Sequence, residues 1–120
     1  MTTQGPMERI DELAALEPGW SDGEGEKITR DSVSLAVVFA STLNTAVAQA
    51  FHIFPGENGS LQFELQEGAR VVLGIELGPT ENDILFWTFS LESDELDEEP
   101  MPNLSVLVER LGEALSQPAQ

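Results

Sequence analysis

The sequence predicts an α+β domain, and three observations carry that expectation. Residues 51–91 alternate apolar and polar side chains between short turns, as antiparallel strands do. Stretches before and after them repeat apolar residues at helical spacing instead. The length of 120 residues suits one packed domain. The expected order is two N-terminal helices, a three- to four-stranded antiparallel meander, an acidic connector and a C-terminal helix, all within 1–120.

Residues 1–5 read as a frayed end, and a helix is expected over 6–17. Pro6 suits a first helical turn, and Met7, Ile10, Leu13, Ala14 and Leu16 fall on one stripe. Glu17-Pro18-Gly19 ends it. The loop from Trp20 to Lys27 contains Gly23 and Gly25, two residues that tolerate unusual backbone angles. Trp20 is expected to anchor that loop to the core. The second helix spans 29–48 with Thr29 as N-cap, and its buried stripe is Ala36, Phe39, Ala40, Leu43 and Val47, with Ala50 at its end.

Within the meander, Leu61, Phe63 and Leu65 share one face. Glu67-Gly68 makes a tight connection, and Ala69, Val71, Leu73, Ile75 and Leu77 resume the alternation. After residues 78–83, the run Ile84–Leu91 is apolar on both faces: Ile84 and Phe86 on one, Leu85, Trp87, Phe89 and Leu91 on the other. Residues 92–100 hold six acids in the eight positions before Pro100, which reads as a solvated connector. A final helix over 103–115 carries Leu104, Leu107, Val108, Leu111 and Leu115, and a tail follows.

Charge restricts function more than fold does. Twenty-two acids stand against 5 bases and one histidine, a net charge of −17. Phosphate binding needs Lys and Arg, so direct nucleic-acid binding is not expected, nor is attachment to an anionic membrane. No apolar run is long enough to cross a bilayer, and no basic flank precedes an apolar stretch at the N-terminus. Cysteine is absent, so disulfides and thiolate chemistry are too, which fits a cytoplasmic protein.

The loop and hairpin motifs resemble those of a family of small, mostly uncharacterised bacterial proteins. In that family a Gly-Trp-Asp-Gly-x-Gly-like loop precedes a helix, a Pro-x-x-(Asp/Asn)-Gly turn opens a hairpin, and an Ile-Glu-Ile-like stretch follows. The matching residues are Gly19, Trp20, Asp22, Gly23 and Gly25, then Pro55, Asn58 and Gly59, then Ile75, Glu76 and Leu77. Ser21, inserted between Trp20 and Asp22, departs from the commoner form. The resemblance spans about residues 10–90 and implies the fold but no activity.

Candidate chemistry is sparse. Asp22, Glu24 and Glu26 are spaced like early calcium ligands, yet the twelfth position from Asp22 is Val33, which cannot ligate. His52, the only histidine, has no oriented partner nearby in sequence. No catalytic residue, cofactor or metal is therefore expected. Two features point to protein binding instead. Trp87 and Phe89 form an apolar face, either exposed or covered by the last helix through Leu104, Leu107 and Leu111. Glu92, Asp94, Glu95, Asp97, Glu98 and Glu99 form an acidic array suited to a basic surface, as in inhibitors that imitate nucleic acid, with Leu96 as an apolar contact. The expected function is a non-enzymatic inhibitor or regulator of a basic-surfaced protein, of antitoxin, immunity or anti-defence type. The alternative is a secretion-type chaperone acting as a homodimer.

Overall fold

A computed structural model describes residues 5–67 and 71–116. The chain runs α1 (Pro6–Ala14), α2 (Arg30–Thr42), α3 (Thr45–Ala50), β1 (His52–Pro55), β2 (Leu61–Glu67), β3 (Val71–Leu77), β4 (Ile84–Ser90), β5 (Leu96–Pro100) and α4 (Leu104–Ser116). The α+β expectation holds, with one strand and one helix more than the sequence indicated. The turn expected at Gly68, the strand residue Ala69, the frayed end at 1–4 and the tail at 117–120 lie outside the described residues.

The five strands form one sheet in the order β1-β2-β3-β4-β5, each antiparallel to the next. The acidic segment is thus corrected: residues 96–100 are an edge strand rather than a connector. It pairs with β4 so that Phe89 faces Leu96, Trp87 faces Glu98 and Leu85 faces Pro100. Only the turn before it, around Ser93 and Asp94, remains a connection. Asp94 adopts φ 57°, a left-handed angle that Asp tolerates better than most residues.

The long helix expected over 29–48 is two helices. Thr29 caps α2 as expected, its hydroxyl accepting the Ser32 N–H at 3.0 Å. At the far end, the Ser41 and Thr42 hydroxyls donate to Val38 O and Phe39 O, and Leu43 turns extended. Asn44 then caps α3 by accepting the Val47 N–H at 2.9 Å. α1 is shorter than expected and stops at Ala14.

Helices α1, α2 and α4 pack on one face of the sheet: α1 beside β1, α2 across β2 and β3, α4 across β4. The core between the layers contains Ile10, Phe39, Phe63, Ile75, Phe86, Leu107 and Leu111, all essentially inaccessible. Phe39, Phe51 and Phe63 meet edge to face, with centroids 5.2–6.1 Å apart. One sheet face is therefore dry, and the other has no helix on it.

Candidate functional site

Strand register places the open face residue by residue. His52 and Phe54 of β1 stand beside Glu64 and Gln62 of β2. These in turn stand beside Gly74 and Glu76 of β3. Next come Val72 against Phe89, Gly74 against Trp87 and Glu76 against Leu85. The face is polar over β1 and β2 apart from Phe54, and mainly apolar over β3 to β5, where Glu76 and Glu98 interrupt it. Its apolar half gathers Val72, Leu85, Trp87, Phe89 and Leu96.

Trp87 lies flat on Gly74. A Cβ at position 74 would fall 1.9 Å from both Cε2 and Cζ2 of the indole, so only glycine leaves room for the ring. Trp87 and Phe89 are half-buried by neighbours in the sheet itself, whereas Leu96 is 54% exposed. The last helix does not cover them. Its Leu107 and Leu111 are buried in the core, and Arg110 lies over the Phe86 ring on the opposite face at 4.9 Å. The two rings are thus neither covered by the last helix nor fully exposed.

The acidic residues divide by position. Glu98 is on the open face across from Trp87, and Asp97 and Glu99 alternate to the helical side. Glu99 is compensated, since Arg110 Nε donates to its Oε2 at 3.0 Å. Glu92, Asp94 and Glu95 occupy the exposed turn into β5. Elsewhere on the open face Glu64 and Glu76 add carboxylates, and among its described residues there is no Lys or Arg. Arg9 and Lys27 are engaged elsewhere, with Ile53 O and Glu12 and with Ala14 O respectively. Sequence patterning located Trp87 and Phe89 but missed the contributions of Val72, Glu64 and Glu76. Strand alternation over 61–77 was the signal that could have found them.

The glycine loop has a structural role. Trp20 Nε1 donates to Glu26 O at 2.8 Å, and the ring occupies the space where a Cβ on Gly25 would lie. The indole thus staples the loop to itself instead of anchoring it in the core. Glu26 N–H donates to Glu57 O, and Thr29 N–H donates to Gly59 O, tying the loop to the β1–β2 turn. In that turn the Ser60 hydroxyl sits 2.7 Å from Asn58 Oδ1 and 3.0 Å from Glu76 Oε2, its one proton serving either acceptor. The described residues include no cluster of three or more His, Cys, Asp or Glu able to hold a metal ion.

His52 is exposed and stacked near Phe54, with centroids 6.4 Å apart. A depression of about 280 Å³ beside it is lined by Arg9, Gln49 and Phe54 among others, without a carboxylate or a hydroxyl. Glu64 stands across from His52 in the register, but among the described residues no hydrogen bond joins them.

Comparison with protein-family models, with curated protein sequences and with solved structures gives no match for this chain.

Proposed function

We propose that this chain is an acidic protein-binding module, without catalysis of its own, that inhibits or regulates a partner with a basic surface. The observation that carries the proposal is the helix-free sheet face. Its apolar half, Trp87 with Phe89 and Leu96, is bordered by carboxylates that no described Lys or Arg on that face neutralises. Protein interfaces combine such an aromatic centre with a polar rim. A net charge of −17 selects cationic partners and accelerates their approach.

Of the acidic array, Asp94, Glu95, Asp97 and Glu98 carry the charge contact. Glu99 contributes less, because Arg110 already pairs with it. Rows of carboxylates on a rigid strand can stand where the phosphates of a nucleic acid would stand, so mimicry of that polymer is part of the reading. A cytoplasmic antitoxin, immunity or anti-defence protein fits these properties. Membership of the small bacterial family belongs to the same proposal; what supports it is that two matching residues, Gly19 and Gly25, are joined by a backbone hydrogen bond, while a third, Gly59, accepts the Thr29 N–H beyond that loop.

The chaperone reading draws on the same open face, which could hold an apolar client segment. Dimerisation through that face would bring the surface bearing Glu64, Glu76 and Glu98 against a second copy of the same negative charge, which disfavours it.

Affinity capture from native cytosol at low and high salt tests the proposal. It expects one basic protein, lost as salt rises. Reversing the charge of Asp94, Glu95, Asp97 and Glu98 to Lys should slow association at least about tenfold. Capture of no basic protein, or unchanged association by the charge-reversed chain, would refute it.

A further inference from the structure

We infer that the free edge of β5 takes up an extended cationic segment of the partner as a sixth strand of the sheet. This rests on the reading that the partner is basic, and it adds how that partner is held.

The two edges of the sheet are finished differently. At β1 the bonded pairs include Gly56 with Ser60, whose N–H to O distance is 2.8 Å, so Ile53 and Pro55 turn their peptide groups outward. Pro55 has no N–H to offer, and Ile53 O is already taken by Arg9 Nε at 3.1 Å. Helix α1 packs alongside. That edge is closed.

At β5 the bonded pairs are set by Ser90 N–H to Glu95 O and Met101 N–H to Ile84 O. Stepping by two along the register makes Thr88–Asp97 and Phe86–Glu99 bonded pairs as well. Leu96 and Glu98 therefore stand in the wide pairs, with N–H and C=O facing away from β4. Among the described residues no strand lies beyond them, and Pro100 ends the row with a carbonyl alone. Two donors and three acceptors thus form a ready ladder for another chain.

Side chains decide which chain can use it. A second copy pairing edge to edge would bring Asp97, Glu98 and Glu99 against the same residues, and like charges across strands oppose pairing. Neutral apolar strands gain nothing from this charge. An extended segment carrying Lys or Arg at alternate positions would place its cations beside Asp97 on the helical side and its apolar residues on the open face. Its apolar residues would extend the open patch at Leu96, which is 54% exposed and adjoins Phe89. The same carboxylates that keep the edge from pairing with itself thus admit a cationic strand.

The test uses the full chain and two synthetic probes of equal charge: a capped peptide of alternating Lys and Val, and one of alternating Lys and Pro. Amide exchange by NMR is the readout. The Lys–Val peptide should slow exchange at Leu96 and Glu98 about tenfold, and the Lys–Pro peptide should leave them unprotected. Glu98→Pro removes an outward N–H and a charge, whereas Glu98→Gln removes the charge alone. The first should weaken Lys–Val binding at least about fivefold more than the second.

Equal binding of both peptides without protection of β5 overturns strand addition and leaves the basic-partner reading standing. Failure of both peptides to bind, with no basic protein captured, removes that reading and this inference together. Protection of Leu96 and Glu98 that rises with protein concentration alone assigns the edge to a second copy and also overturns it. Should Glu98→Pro lose its fold by circular dichroism, exchange in the unsubstituted chain decides.

Discussion

Replacing Gly74 by alanine tests the geometry of the open face without touching a charge. The new Cβ would overlap the Trp87 indole at 1.9 Å, so the ring must leave the sheet. A fully packed indole buries about 150–250 Å². Trp87 is half-buried, so roughly 100 Å² is at stake, or about 2.5 kcal/mol at about 25 cal/mol per Å². Alanine returns about 0.5–1 kcal/mol by restricting the unfolded chain, which leaves a net loss of about 1.5–2 kcal/mol. With Trp87 already replaced by alanine, the clash is gone, and Gly74→Ala should be neutral or stabilising by about 0.5 kcal/mol. Urea unfolding followed by far-ultraviolet circular dichroism over the four-member cycle should then give a coupling near 2 kcal/mol, to order of magnitude. A coupling below about 0.5 kcal/mol would refute the stacking of Trp87 on Gly74.

Two further substitutions probe how the sheet is held. Thr29→Ala removes the α2 cap and the hydroxyl that donates to Pro79 O at 2.6 Å, and should cost about 1–2 kcal/mol in urea unfolding; an unchanged midpoint would contradict the clamp. Arg110→Ala frees Glu99 and uncovers Phe86. Both partners of that ion pair are about a third or more exposed, so the global loss should stay near or below about 1 kcal/mol. The local effect should be larger: faster amide exchange at Asp97 and Glu99, with β2 and β3 unaltered. Exchange in β5 indifferent to the substitution would show that Arg110 does not secure the strand.

What the sequence disclosed follows from where each element draws its stability. Strands β2 to β4 and helix α4 bury their own alternating or helical stripes, so Phe63, Ile75, Phe86 and Leu107 announced them. Strand β5 buries almost nothing. Its Leu96-Asp97-Glu98-Glu99-Pro100 reads as solvated chain because β4 and Arg110 hold it from outside. The break between α2 and α3 was obscured by an alanine-rich stretch favourable to helix, although Asn44 is a strong N-cap and was a legible signal. For the candidate site, alternation placed Trp87 and Phe89 on one face. It could not say which face the helices choose, since that depends on packing α2 and α4 against Ile75 and Phe86.

Hydrogen–deuterium exchange on the captured complex tests the central claim most directly. Protection is expected at residues 85–91 and 96–100, which line the open face and its edge, with α1 and α2 exchanging as in the free chain. Protection confined to the helical layer, with β4 and β5 unaltered, would contradict it.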